Sequence, residues 1–184
     1  LSIDTTKAGV AEKALTAGAD IINDISALSF DPNMAGIAAE AACPVVLMHM
    51  KGTPRTMQES PHYDDVVAEV SRYFIERLAL AQSCGIKEEK IILDVGIGFG
   101  KRTEDNVTLL KHLRQFTVFG RPLLVGLSRK RFIGELTGKP VGERLEGSLA
   151  AAAVAVQNGA DIIRTHDVAA TRPAVIIAAA LREA

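Results

Sequence analysis

Cysteine is scarce in this 184-residue chain, and the two present, Cys43 and Cys84, show no ligand spacing with each other or with the four histidines. Neither a zinc site nor a disulfide framework is suggested, and a reducing cytoplasm suits such usage. Long apolar runs are missing as well: none approaches the ~20 residues needed to span a bilayer. Charge of one sign is not concentrated anywhere. The 21 basic and 22 acidic side chains leave a formal charge of −1, and no Lys/Arg run could track a nucleic-acid backbone or an anionic membrane. What is there is a chain 48% hydrophobic and 23% charged, which reads as a globular body with a sizeable core and, by default, a small-molecule partner.

Short apolar runs of strand length recur six times: Leu1 to Ile3, Asp20 to Asn23, Val45 to Met48, Lys90 to Asp94, Leu123 to Gly126 and Asp161 to Arg164. Helix-period stretches separate them, at Thr6 to Ala17, Asn33 to Ala42, Asp64 to Cys84, Glu104 to Phe116, Arg144 to Asn158 and Pro173 to Leu181. An unbroken β, α alternation predicts a parallel sheet covered by helices, because parallel neighbours need a crossover. Gly18-Ala19-Asp20-Ile21-Ile22 recurs as Gly159-Ala160-Asp161-Ile162-Ile163, as equivalent units of a radially repeating barrel would show. The alternative is a turn shared by open α/β sheets. A complete (β/α)8 barrel takes ~250 residues, so the reading is a TIM barrel with six of its eight βα units present, in one domain over residues 1–184. The chain opens inside a strand, Leu1-Ser2-Ile3-Asp4, with no secretory pattern, and is expected to be a piece of something longer.

In such barrels the chemistry sits at the carboxyl ends of the strands. Those ends carry Asp4, Asn23 with Asp24, His49 with Lys51, Asp94, Ser128 with Lys130, and Arg164 with His166. Asp4, Asn23 and Asp94 suit a heterocycle rich in N–H donors, since an ionised carboxylate accepts two parallel hydrogen bonds from an amino-amide edge. Lys130, Arg164 and His166 suit an anionic group such as pyrophosphate. The stretch Gly96-Ile97-Gly98-Phe99-Gly100-Lys101 is neither a dinucleotide fingerprint nor a P-loop, because its spacing is wrong for both. Its glycines permit a tight loop close to a ligand, with Phe99 free to pack on a flat ring; a plain strand-to-helix turn with Phe99 in the core is the alternative. Ser128-Arg129-Lys130-Arg131 is expected to open a helix, where free N–H groups attract anions; a solvated basic turn is the alternative. His62 and His112 are expected on the surface, and Cys43 and Cys84 as small core residues.

Asp4-Thr5, Asn23-Asp24, Met48-His49-Met50-Lys51-Gly52, Asp94 with the glycine-rich run to Lys101, Ser128-Arg129-Lys130, and Arg164 with His166-Asp167-Val168 together resemble the ordered signature of the bacterial dihydropteroate synthases. The resemblance runs from Asp4 to the last helix. It implies a transferase of folate biosynthesis, a sulfonamide target, that joins a pterin pyrophosphate to 4-aminobenzoate. By it, Asp4, Asn23, Asp94 and Lys130 hold the pterin, Met50 and Phe99 lie near the ring, Arg164 and His166 bind pyrophosphate, and Arg131 with Phe99 meets 4-aminobenzoate. It also implies magnesium, whose main family ligand belongs to the first two units, and a homodimer.

Three departures stand out. Val95 follows Asp94 where the family usually has proline, and Arg131 stands where a serine commonly contacts the 4-aminobenzoate carboxylate; an arginine there could pair with that carboxylate or point to solvent. The family's magnesium-positioning asparagine and its two mobile loops fall outside these residues, so the chain alone is expected to bind pterin poorly and not to turn over. The rival readings are a methyltetrahydrofolate-binding methyltransferase, which shares the Asp and Asn groups but has no use for a pyrophosphate site, and a non-catalytic pterin-binding module.

Overall fold

A computed structural model describes residues 1–183. Six runs of mainly branched apolar residues form β1 Ser2–Asp4, β2 Ile21–Asp24, β3 Val45–Met48, β4 Ile91–Asp94, β5 Leu123–Gly126 and β6 Ile162–Arg164. They pair in sequence order, each pair parallel, in one six-stranded sheet. Helices fill the crossovers: α1 Ala8–Thr16, α2 Met34–Ala41, α3 Val66–Ser83, α4 Thr103–Lys111, α5 Arg131–Thr137, α6 Leu145–Gln157 and α7 Val168–Glu183. This is a partial TIM barrel.

Side chains alternate between the two faces of a strand, and that alternation divides the core. Ile22, Val45, Leu47, Ile91, Leu93, Leu123 and Val125 face the helices and join Val70, Phe74, Leu109, Leu113 and Phe116 in the main cluster. Ile21, Val46, Ile92 and Leu124 make a second, smaller cluster on the other face, inside the curl of the sheet. Two positions further along the same strands come Asn23, Met48, Asp94 and Gly126. The small cluster is therefore a floor, and these residues lie one layer above it, towards the carboxyl ends.

The repeat seen in the sequence is a repeat of structure. Gly18 and Gly159 close α1 and α6 at φ +101 and +105. In both turns the next N–H reaches back five residues, Ala19 to Ala14 and Ala160 to Ala155, each at 2.9 Å. The aspartates that follow donate their N–H groups to the neighbouring strand, Asp20 to Leu1 at 2.7 Å and Asp161 to Leu123 at 2.9 Å. One helix-ending device thus delivers two strands to the sheet in the same way.

Several boundaries differ from the periodicity. α3 starts at Val66 because the Asp65 side chain caps it, accepting from the N–H groups of Val67 and Ala68 at 3.0 Å. α4 ends at Lys111 and tightens into a 3-10 turn over Leu113–Phe119, which turns Leu113 and Phe116 into the core. α7 begins five residues before Pro173, its first turn closed by the Thr171 N–H and hydroxyl on the Asp167 carbonyl, both at 2.9 Å. α5 is a short helix additional to the six helix-period stretches, and it opens from the run that begins at Ser128. Cys43 is buried as expected, but Cys84 is exposed, since it caps the solvent end of α3 rather than packing inside.

Candidate active site

Period-two alternation sorts the strand-end residues before any contact is considered. Asn23 shares the inner face with Ile21, whereas Asp24 points towards the helices. Their surroundings agree. Asp24 is fully buried and satisfied by the Ser26 N–H at 2.8 Å, the Ser26 hydroxyl at 2.7 Å and the Leu28 N–H at 2.8 Å, so it organises its own loop. Asn23 is 5% exposed, and neither its Oδ1 nor its Nδ2 has a hydrogen-bond partner. Such a side chain is an unspent donor and acceptor aimed into the mouth of the curl.

Asp94 ends β4, the strand one removed from Asn23, and is 2% exposed. Its Oδ1 accepts the Gly96 N–H at 2.8 Å. Burial pushes its carboxyl upward in pKa; Lys130 opposes this most, followed by the Gly96 N–H, Arg164 and Lys101. Arg164, from the edge strand β6, reaches across towards Asp4 on the opposite edge strand β1, with Nη1 3.7 Å from Oδ2. It can do so because Gly126 lies beneath it: a Cβ there would stand 3.2 Å from the Arg164 Nε. Asp4, Asp94 and Arg164 therefore open on one mouth.

Lys130 precedes α5 and turns into the same mouth. Its Nζ donates to the Ile97 carbonyl and lies 4.8 Å from the centroid of the Phe99 ring. Burial brings its pKa down to about 8, with Asp94 resisting and Arg164 assisting. His166 Nδ1 lies 2.9 Å from the hydroxyl of Ser128. Beside it, Arg129 makes two bonds to Asp167, at 3.0 and 2.7 Å, tying the loop after β5 to the loop after β6.

Other strand-end residues are not brought into this group. Lys51 is engaged with Glu69 at 2.8 Å and with the His62 carbonyl. His49 is buried behind the strand, edge-on to Tyr73 at 4.9 Å, and burial first, then Lys101 and Lys51, hold it neutral with a pKa of about 2. Met50 is half-buried and lines a cavity of about 330 Å³ with His49, Lys51 and Tyr73. The methionine on the inner face is Met48. Arg131 is 76% exposed and pairs with Glu135 at 2.5 Å. It lines a cavity of about 390 Å³ that Gly98 of the glycine loop also borders. His62 is exposed on its loop beside Asp64, and His112 caps α4.

Sequence reasoning missed Met48, Gly126 and Lys101. The first two could have been found by counting two residues beyond the apolar floor on β3 and β5. Lys101 stands in the sequence only as the end of the glycine-rich signature, with nothing to mark it as buried, since a lysine after a glycine run is ordinarily solvated. Among the described residues no three His, Cys, Asp or Glu side chains gather as a cation site, so these residues do not by themselves fit magnesium. The assembled groups can accept N–H donors at Asp94 and Asn23, flank a flat ring with Phe99 and Lys130, and neutralise an anion with Arg164 and His166.

The family model described as pterin binding enzyme matches residues 1–166. The dihydropteroate synthase of Escherichia coli K12 is 53% identical over 171 residues, 93% of this chain and 60% of that protein. A Yersinia pestis dihydropteroate synthase solved with a sulfonamide drug superposes with a TM-score of 0.96 at 44% identity, covering all of this chain and 66% of its own. The Xanthomonas albilineans enzyme, in complex with 7,8-dihydropteroate, gives 0.92 at 47% identity and 67% of its chain. The chain thus spans about three fifths of the length of the curated relatives it matches. On the match over residues 1–166, the chain belongs to the pterin binding enzyme family, with dihydropteroate synthases as its relatives.

Proposed function

We propose that this chain carries the pterin and pyrophosphate side of a dihydropteroate synthase. The reaction would join 6-hydroxymethyl-7,8-dihydropterin pyrophosphate to 4-aminobenzoate, giving 7,8-dihydropteroate and pyrophosphate. The observation that carries the reading is the buried Asn23 amide, with both polar atoms unpartnered, on the same inner layer as Asp94. Asp94 accepts the two N–H groups of the pterin's amino-amide edge, Asn23 supplies a donor and an acceptor to the ring, and Asp4 and Lys130 complete the rim. Phe99 flanks the ring, and Met48, paired with Asp94 across β3 and β4, takes the inner-layer place in Met50's stead. Arg164 and His166 receive the pyrophosphate as the methylene C–O bond breaks. The arylamine nitrogen then bonds to that carbon and passes its surplus proton to pyrophosphate or solvent, with Phe99 meeting the aminobenzoate and Arg131 able to reach its carboxylate only on leaving Glu135. Fixed charges of this kind typically supply ~3 to 4 kcal/mol each to lowering the barrier. Magnesium, with its principal ligand outside residues 1–184, would accompany the pyrophosphate and offset its charge.

Lys130, Arg164 and His166 favour this reading over a methyltetrahydrofolate-binding methyltransferase, which has no anion of that charge to neutralise. A homodimer in a reducing cytoplasm belongs to the same proposal. In its support, α6 and α7 leave Val154, Ile177 and Leu181 exposed, both cysteines are free, and no helix among the described residues is long and apolar enough to cross a membrane.

The test is calorimetric titration with the pterin pyrophosphate, using the chain alone and the chain joined behind the amino-terminal segment of the Escherichia coli relative. Product formation with magnesium and 4-aminobenzoate is followed in parallel. The joined protein is expected to bind at least tenfold more tightly than the chain alone and to be the only one that turns over. Binding without product would favour the non-catalytic module, and no binding by either protein would sink the pterin assignment.

A further inference from the structure

Lys101 is 4% exposed, and its role is not absorbed by the chemistry above. Its ammonium donates to the carbonyls of Gly96 at 2.9 Å and Phe99 at 3.1 Å, and meets His49 Nδ1 at 2.9 Å. Three protons are shared among four acceptors, the fourth being the His49 carbonyl at 3.4 Å. None of the ion pairs among the described residues includes it. A buried cation met only by neutral acceptors is costly, and folds seldom keep one for packing alone.

The acceptors show what it holds. Gly96, Gly98 and Gly100 adopt φ of +68, +82 and +63, and this alternation turns successive carbonyls of the loop to different sides. Lys101 takes Gly96 and Phe99 from inside, while Lys130 takes Ile97 from the mouth. The loop is thus clamped between two ammonium groups, and Phe99, whose ring faces Lys130, lies on the clamped segment. His49 supplies the remaining anchor, because a neutral imidazole accepts at Nδ1 when its proton is on Nε2.

We propose that Lys101 is a positioning residue whose ammonium fixes the 96–100 loop, and with it Phe99 and Lys130, in the form that receives the ring. The ring's being a pterin rests on the function proposed above; the clamp itself does not. The charged groups facing Lys101 are Asp94 of β4, Asp105 of α4 and Lys130 before α5, and the titratable but neutral His49 lies after β3. Burial leads in bringing the Lys101 pKa down to about 7; Asp94 and Asp105 resist and Lys130 adds to the fall. Two effects of opposite sign follow as pH rises from 7 towards 10.5. The unfolded chain binds more protons in that window, so global stability grows, whereas the loop loses a donor and loosens. A lysine that only supported the fold would move both together.

The test follows amide hydrogen exchange at Gly98 and Phe99 in the 184-residue chain between pH 6 and 9, corrected for intrinsic rates, with urea denaturation at the same pH values. The Phe99 protection factor is expected to fall at least tenfold across this range while stability holds or rises. Lys101→Met should show the low protection already at pH 6, with no further change. Calorimetry with pterin itself should show an affinity at least tenfold weaker for Lys101→Met, and a wild-type affinity that declines above pH 7. If Lys101→Met fails to fold, the wild-type pH series decides alone. Protection that stays constant, or that follows global stability, overturns the clamp. If the wild type does not bind pterin, the functional reading fails while the exchange data still decide the role of Lys101.

Discussion

Asn23→Leu exchanges the two polar atoms of a buried amide for two methyl groups of nearly the same shape. Asn23 is 5% exposed with Oδ1 and Nδ2 both unpartnered, and each such atom costs roughly 1 to 3 kcal/mol. The free protein therefore carries about 2 to 6 kcal/mol of polar burial that leucine removes, from which some misfit of the branched side chain must be subtracted. A gain of about 1 to 3 kcal/mol is expected, equivalent to a Tm rise of about 2 to 12 °C in a chain of this size. Binding should go the other way, because leucine leaves the polar edge of a bound pterin unsatisfied, with a loss of about 10²-fold. Urea denaturation with unchanged slope measures the first effect, and calorimetry with pterin the second. The neighbouring residue gives the opposite sign. Asp24→Leu abandons three donors and should destabilise by about 3 kcal/mol or more. If Asn23→Leu were less stable than the wild type, or bound pterin equally well, the inference that Asn23 is held in reserve for a ligand would be refuted.

Asp94→Ala or Lys130→Ala, placed in the chain joined behind the Escherichia coli segment, should lower the rate of synthesis by about 10²-fold or more with folding retained, as circular dichroism and steady-state rates would show; a tenth of the rate remaining in either would count against their roles. Gly96→Ala should be the most damaging single methyl group in the glycine loop, since its Cβ would stand 1.8 Å from the His49 carbonyl at a φ of +68; a thermal melt within 2 °C of wild type, on the order of 1 kcal/mol or less, would contradict the geometry. Lys130, with its pKa brought down to about 8, is a cation only below that value, so affinity for the pterin pyrophosphate should decline above pH 8, approaching tenfold per unit. Over the same window its contribution to stability rises, because the unfolded chain still binds the proton there; affinity that stays flat from pH 7 to 10 would exclude the lysine from the site.

Much of this was legible along the chain. Alternating apolar runs and helical stretches dictated a parallel sheet with helical crossovers, and the Gly-Ala-Asp-Ile-Ile repeat announced two equivalent turns, because these follow from backbone sterics and burial within a few residues. The polar residues at the strand ends were visible too. Their orientation was less so: Asn23 and Asp24 look interchangeable in sequence until the pleat assigns one to the mouth and the other to the helices. Three boundaries moved for reasons just outside the apolar pattern, namely the Asp65 cap, the 3-10 continuation of α4 and the Thr171 bonds that start α7 ahead of Pro173.

Residues 1–184 by themselves determined the order of elements, the polarity of each strand end and the family resemblance, since these depend on local pattern and spacing. Tertiary structure alone decided that Arg164 crosses above Gly126 to Asp4, that Arg131 turns to Glu135, and that Lys101 lies within the glycine loop. Each of those joins groups more than thirty residues apart or directs a long side chain among several open partners, and only the packed three-dimensional arrangement around the curved six-stranded sheet selects between such outcomes.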